Sequence, residues 1–420
     1  RSERPSAQDA ERAASFAAAL DPLTYGRIEW ASAWAARQGW GLYAVGGFVR
    51  DMMLGRQPGD LDVVVEGDAI AVAQALVAEA GGVIHAHSQF GTATVEWQPS
   101  AGEAHPEPSA SHLDFITART EFYEHPTALP EVAAASLRHD LHRRDFTINT
   151  LALDLAPGRR GHLYDFYGGM RDLERRLIRV LHNLSFIDDP TRLLRALRLA
   201  ARLGFAIEAR TGELIHDAVA QNVLHRTTPA RIRHELRLLF EEDFAAQTLA
   251  SLAEWGILAA IHPGLRWSDR LAEQFEQVLS LERGFRRTAR LLLLLDQLPA
   301  ATRQELAARY ALPKAERERI GQWAALEELG PQLAAGGLGA GTLDRLLAPY
   351  AEDSLRTFAI AAGGRVARRI ERYLAVLRHI PSRTTGRDLI AQGLPPGPGY
   401  RERLTAARED QLNREADGEE

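Results

Sequence analysis

Leu42-Tyr43-Ala44-Val45-Gly46-Gly47-Phe48-Val49-Arg50-Asp51 reads as a short apolar strand that stops at two glycines and turns at once into a helix. Adjacent glycines let a backbone approach a phosphate closely, and a helix N-terminus offers unpaired N–H donors at the positive end of its dipole. Arg50 is then placed to reach phosphate oxygens. Taken alone, the same stretch suits a plain tight turn equally well. Its surroundings set the fold class. A second strand is predicted over residues 61–65, a helix over 69–80, and strands over 82–86, 92–97 and 112–117. Residues 98–111, rich in Pro, Ser, Ala and Glu, read as an exposed, mobile loop between two of these strands. Upstream, residues 9–20 and 25–38 are Ala-rich amphipathic helices. Up to about residue 155 the expectation is therefore a small mixed sheet with helices against it.

From about residue 168 the periodicity is almost only helical. Pro190 opens one helix, whose apolar face is Leu193, Leu194, Leu197 and residues 199–203. Thr228-Pro229 opens another, with Ile232, Leu236 and Leu239 on one side. Gly-rich residues 336–341 and Pro/Gly-rich residues 394–399 break the pattern, and no repeat of 20–50 residues is visible. The predicted class is α+β.

The chain's 420 residues suit two to four domains, and 45% hydrophobic with 25% charged residues suits a soluble globular protein. The absence of cysteine excludes disulfides, thiolate catalysis and Cys-ligated metals, and it fits a cytoplasmic protein. No apolar run approaches the roughly 18 residues of a membrane span. Leucines 291–295 suit a buried helix. The first ten residues are polar and lack a signal-peptide core, and the chain opens on Arg1 rather than Met, which leaves room for residues upstream. Net charge is −6, yet residues 138–240 hold 18 Arg against 12 Asp plus Glu, a local excess of +6.

Two further clusters carry chemistry. In Asp60-Leu61-Asp62, followed by three valines, carboxylates two apart on a strand share a face and repel, which favours a divalent cation. Magnesium suits such a site, since it takes a few carboxylates together with substrate phosphates. Asp114, inside an apolar strand, is a candidate third carboxylate. In Arg143-Arg144-Asp145-Phe146-Thr147-Ile148-Asn149, paired arginines suit a triphosphate, and Asp145 and Asn149 suit sugar hydroxyls. His85 and His87 alternate on a strand but lack further metal ligands nearby, and His139-Asp140 lacks the partner histidines of a phosphohydrolase.

The ordered set Gly-Gly-x-Val-Arg-Asp, Asp-x-Asp and Arg-Arg-Asp-Phe-Thr-Ile-Asn resembles the bacterial and eukaryotic class of tRNA nucleotidyltransferases and the bacterial poly(A) polymerases, within the polymerase-β-like superfamily. The resemblance runs from about residue 41 to 240. It implies a catalytic head (1–155), a helical neck (156–243), a body (244–340) and a tRNA-contacting tail (341–420). It further implies that Asp60 and Asp62 hold magnesium, that Gly46, Gly47, Arg50 and Arg144 bind the triphosphate, and that Asp145 binds the ribose, with CTP, ATP and the acceptor arm and 3′ end of tRNA as partners. Asp188-Asp189-Pro190-Thr191-Arg192 resembles the family's base-reading Glu-Asp-x-x-Arg, with Asp188 in place of the usual Glu. Asp189 and Arg192, three apart, are expected on one helix face. Asp accepts and Arg donates, a pair that fits the amine and unprotonated ring nitrogen of C and A and rejects U and G. Arg195 and Arg198 continue the spacing and are expected to hold the triphosphate or brace the reader. Arg231 and Arg233, on the next helix, are read as support.

Full CCA addition leads, with CC-only, A-only and poly(A) addition as alternatives. In the family this choice is linked to a flexible segment, here residues 119–132 with Phe122-Tyr123-Glu124-His125-Pro126. An inert tRNA-binding protein and a small-molecule nucleotidyltransferase are the competing classes. The intact Asp60/Asp62 pair opposes the first; the Asp189/Arg192 pair and the long helical half oppose the second.

Overall fold

Two helices, α1 (Ala7–Ala18) and α2 (Pro22–Arg37), begin with side chains that satisfy their first N–H groups. Ser6 and Asp9 form a capping box on α1, and the Asp21 carboxylate accepts from the Leu23 and Thr24 amides of α2. The computed structural model describes residues 6–97, 112–122, 131–394, 397 and 399–416. The loop expected at 98–111, and Tyr123 to Pro126 in the segment linked to nucleotide choice, lie outside the described residues. The chain forms two compact units, Arg1–Thr227 and Thr228–Glu420, which divide inside the stretch expected as a neck.

In the first unit the chain continues as β1 (Gly41–Val45), α3 (Gly47–Met53), β2 (Asp62–Glu66), α4 (Ala69–Ala80), β3 (Val83–His87), β4 (Thr92–Glu96), β5 (His112–Thr117), β6 (Arg119–Phe122), β7 (Glu131–Ala134), α5 (Leu137–His142), β8 (Ala152–Asp154) and β9 (Leu163–Tyr164). Seven strands form one sheet in the order β3-β4-β5-β2-β1-β8-β9. All neighbours are antiparallel except β2 and β5. The register aligns Tyr164, Ala152, Val45, Asp62 and Asp114 in one row across five strands. Paired residues share a face, so the row places Asp62 and Asp114 side by side. Val63 and Val65 are buried on the opposite face, where α2 and α4 pack. On the Asp62 face, Leu137 and Leu141 of α5 cover Tyr43, Val45, Val64 and Ala152.

The sheet reaches past residue 155, the expected end of the head, because Leu163–Tyr164 returns to pair with β8. Beyond it lie α6 (Gly169–Glu174), β10 (Leu177–Ile178), α7 (Ser185–Asp188), α8 (Thr191–Leu203), β11 (Ala206–Ile207) and α9 (Ala209–Ala220). The parallel pair β10–β11 departs from the all-helical expectation for residues 156–243; two residues per strand are too few to show a period of two. The segment at 119–132 is an antiparallel pair in its described part, with Arg119 opposite Ala134 and Phe122 opposite Glu131.

The second unit holds twelve α-helices among the described residues, from α10 (Pro229–Glu241) to α21 (Gly399–Ala416). The leucine run closes α14 (Arg283–Leu295), and Leu292 to Leu295 are buried as expected. No helix among the described residues is long and apolar enough to cross a membrane.

Candidate active site

Gly46 stands between β1 and α3 with φ +73° and ψ −135°, a backbone state that a side chain resists. A Cβ at this position would lie 2.9 Å from an Arg144 guanidinium nitrogen and 3.8 Å from an Asp62 carboxylate oxygen. The glycine therefore lets the strand end sit directly against both charged groups. A Cβ on Gly47 would face the Arg50 guanidinium at 3.6 Å. Gly46→Ala is expected to strain the turn, push Arg144 aside, and cost at least about 1 kcal/mol of stability together with a raised KM for the nucleotide. Wild-type KM and thermal midpoint in this variant would show the close approach to be unimportant.

Asp62 begins β2, whereas Asp60 stands before the strand. The expected strand alternation thus does not place Asp60, whose side chain is 69% exposed. The partner that the sheet itself sets beside Asp62 is Asp114, on the neighbouring strand β5. Asp114 accepts a hydrogen bond from Thr94 Oγ1 at 2.5 Å. His112 Nε2 lies 3.9 Å from both Asp60 Oδ1 and Asp114 Oδ2. Burial first, and the neighbouring Asp114 and Asp60, push the Asp62 carboxyl above the ordinary carboxylate range, while Arg144 pulls it down. An inward-facing carboxylate crowded by two others attracts a cation. The donors are hard oxygens on an open edge, and among the described residues no three His, Asp or Glu side chains close into a cage. That arrangement fits a small divalent ion which keeps water and phosphate among its ligands.

Asp140 organises the double-arginine segment. It is fully buried within α5 and accepts from Arg143 Nε and Nη2 at 3.1 and 2.7 Å and from Arg144 Nη2 at 3.2 Å. It also takes the Arg119 amide at 3.4 Å, which ties in the start of β6. These arginines hold its carboxyl below the usual range despite burial.

Asp145 and Asn149, expected to face sugar hydroxyls, are bonded to protein. Asp145 Oδ1 accepts from the Phe146 amide and from Asn149 Nδ2, and Oδ2 accepts from Arg195 Nε and Nη2 at 3.0 and 2.5 Å. Burial opposes ionisation, but Arg195, Asn149 and Arg192 overcome it and hold the Asp145 carboxyl at about 2. Asn149 Oδ1 in turn accepts from Arg50 Nη1 at 2.7 Å, and Arg50 forms a two-pronged pair with Asp51 at 2.8 Å. Arg50 is only 4% exposed. One chain of charged hydrogen bonds, Asp51–Arg50–Asn149–Asp145–Arg195, therefore joins α3, the double-arginine segment and α8.

On the expected reading helix, α8 starts at Thr191, so Asp189 stands ahead of the helix rather than sharing a face with Arg192. Proline at 190 delays the first turn. The Asp189 carboxylate accepts from the Thr191 amide and hydroxyl at 3.0 and 2.6 Å, as a cap does. Arg192 is buried to 7% and is oriented by two acceptors, Ser185 Oγ at 2.6 Å and the Arg143 carbonyl at 2.7 Å. Arg198 lies one turn beyond Arg195 on the same helix.

His112 and Ser185 were not singled out by the sequence, Asp51 stood there only as the last residue of the Gly-Gly-x-Val-Arg-Asp motif, and Asp140 only in a His-Asp pair set aside as lacking phosphohydrolase partners. Asp140 carries a signal that finds it: acid to arginine at i+3 and i+4 on a helix is a pairing spacing. Ser185 carries none, because its contact joins segments that only folding brings together.

A Gly-Gly turn at the end of a central strand, with neighbouring carboxylates and paired arginines, has the make-up of a nucleotidyltransferase site. Residues 42–179 match the family described as Poly A polymerase head domain, and residues 204–268 match the one described as Probable RNA and SrmB-binding site of polymerase A. The chain is 35% identical over 394 residues to the A-adding tRNA nucleotidyltransferase of Geobacter sulfurreducens, across 89% of this chain and 43% of that protein. It is 32% identical over 386 residues to the A-adding tRNA nucleotidyltransferase of Halalkalibacterium halodurans, across 90% of this chain and 86% of that protein. It thus spans less than half of the Geobacter relative and most of the Halalkalibacterium one. The solved structure of the Thermotoga maritima CCA-adding enzyme complexed with tRNA matches with TM-score 0.73 and 28% identity, across 95% of this chain and 94% of that one. The chain belongs to the tRNA nucleotidyltransferase family.

Proposed function

We propose that this protein adds C and/or A residues, without a template, from CTP and ATP to the 3′ end of tRNA. The observation that carries this reading is the packing of Gly46, Arg144 and Asp62 against one another at the end of β1. It brings a Gly-Gly turn, a guanidinium and a carboxylate close together, the three kinds of group that a nucleoside triphosphate and its metal call for. Asp60 and Asp62, with Asp114, would hold Mg2+, which when bound makes the 3′-hydroxyl more acidic and neutralises the triphosphate. Arg144 and the α3 N-terminus hold the triphosphate, and Gly46 and Gly47 let it approach. Arg50, Asp145, Asn149 and Arg195 hold those groups in register. The 3′-oxygen attacks the α-phosphorus in line, the bond to the bridging oxygen breaks, and pyrophosphate leaves. Asp189 and Arg192 read the base, with Arg198 bracing the helix. Residues 244–340 and 341–420, the body and tail, grip the acceptor arm by shape and phosphate contacts. A tRNA-processing role places the protein in the cytoplasm.

Arg192→Ala is expected to reduce discrimination against UTP and GTP by about 10- to 100-fold, the worth of one two-point base contact. Competition among all four nucleotides reads this directly, and unchanged preference would remove Arg192 from the reader.

Addition is measured at single-nucleotide resolution on tRNA lacking CCA, on tRNA ending in CC, and on an unrelated RNA, with CTP, ATP or both and magnesium. Three bases added to the first substrate mean CCA addition, two mean CC addition, and activity on the second alone means A addition. Long tails on any RNA mean poly(A) synthesis. No incorporation with tRNA still bound would overturn the proposal in favour of an inert binding protein. One observation favours the A-adding reading: the relatives aligned over 89% and 90% of this chain both carry that name.

A further inference from the structure

Along the flank of α5 the rings of five residues follow one another in contact. Tyr164 and Phe166 stack with centroids 5.7 Å apart and planes at 28°. Phe166 meets Tyr167 at 6.3 Å, Tyr167 meets His142 at 5.5 Å, and His142 stacks on His182 at 5.8 Å and 20°. Most such rows are buried core, but this one is open to solvent at Phe166, toward its Tyr164 end, and again at His142. Phe166 is 40% exposed, beside the edge strand β9, and the Arg138 guanidinium lies 5.7 Å from its ring centroid. The Tyr167 hydroxyl donates to the Arg138 carbonyl at 2.7 Å, which fixes ring and arginine together.

The other end lies next to the active-site segments. His142 immediately precedes Arg143 and Arg144, and His182 Nδ1 is 3.9 Å from the carboxylate of Asp188, the neighbour of Asp189. Tyr164 shares the cross-sheet row of Asp62, three strands away, or about 14 Å at the usual strand spacing. A part-exposed aromatic ring with a guanidinium beside it, within a segment of net positive charge, matches unpaired nucleotides, whose bases stack and whose phosphates pair with arginine. A protein partner would call instead for a wider apolar patch than one ring.

We infer that this aromatic row is a track for the single-stranded 3′ end of the RNA, with a base stacked on Phe166 and a phosphate at Arg138. The inference rests on the proposed nucleotide addition to RNA. It assigns binding of the RNA strand, and not of the incoming nucleotide, to Phe166 and Arg138.

The test uses the full chain and a tRNA lacking CCA whose unpaired 3′-terminal base is 2-aminopurine, a fluorophore quenched by stacking. Wild-type protein quenches it. Phe166→Ala relieves the quenching and raises the KM for RNA on the order of 10-fold, while the KM for CTP or ATP and kcat stay near wild type. Phe166→Trp restores both readings. Arg138→Gln, at an exposed position, serves if Phe166→Ala unfolds; it raises the RNA KM and lowers the salt slope of binding by about one. Wild-type quenching and RNA KM in folded Phe166→Ala, or an equal loss of affinity for a blunt duplex, would overturn the track. Absence of nucleotide addition by the wild-type protein would sink the proposed function instead, while the quenching experiment still reports on the track.

Discussion

Asp62→Asn is expected to lower nucleotide addition on the order of 10^3-fold or more, because on the proposed function it removes a carboxylate that would hold the metal. The same substitution is expected not to destabilise the fold. Burial and the neighbouring Asp114 and Asp60 raise the Asp62 carboxyl in the folded chain above its ordinary value. A group raised in this way contributes stability while protonated, and loses it as pH rises through the folded value. At neutral pH the ionised Asp62 therefore weighs against folding, and asparagine relieves that. Magnesium should raise the thermal midpoint of the wild-type protein and do so far less for the variant. Thermal unfolding with and without magnesium, alongside turnover, checks both parts. Turnover near wild type would remove Asp62 from the chemistry; a magnesium shift of equal size in both proteins would move the ion elsewhere. Asp60→Ala is expected to abolish transfer as well while leaving tRNA binding largely intact, since Asp60 lies at the exposed edge of the same site.

Asp145→Asn is expected to fail in the opposite way, losing stability and activity together. The carboxylate anchors Arg195 and Asn149, and through Asn149 it reaches Arg50. Its carboxyl is lowered from 3.8 to about 2, with Arg195, Asn149 and Arg192 overcoming burial. For a carboxyl lowered on folding, the stabilisation is complete above the unfolded value and lost as pH falls through the folded one. The window is therefore below 3.8, down to about 2, and the interval corresponds to roughly 2 kcal/mol at neutral pH. The variant should unfold about 2 kcal/mol more easily at pH 7, and the difference from wild type should shrink as pH falls through that window. Activity should drop on the order of 10^2-fold through misplacement of the nucleotide. Denaturant unfolding at pH 7 and near pH 3 decides the matter: an unchanged midpoint would show that the network does not bear on stability.

These two carboxylates also show what the chain reveals before it folds. Asp62 was legible, since an acidic residue leading a run of valines marks a strand that begins at a polar edge. The Gly46-Gly47 turn, the double arginine and the start of α8 just after Pro190 were legible for the same reason: each depends on residues within a turn or two of one another. Asp145 was legible as part of a polar cluster, but its inward orientation was not. Its partner Arg195 is fifty residues away, and a hydrogen bond over that distance leaves no spacing to read.

The α+β class, the order of head and helical segments, and the family could be read from the chain, because local periodicity, turn chemistry and ordered motifs are written in contiguous residues. That Asp114 rather than Asp60 lies beside Asp62 in the sheet, that Arg192 is aimed by Ser185 and the Arg143 carbonyl, and that β9 joins the sheet after residue 155 all depend on the folded chain. Strand register and side-chain aim depend on which distant segments pack together. The free energy that selects them comes from burying apolar faces and pairing charges across those segments, and no single stretch of chain contains it.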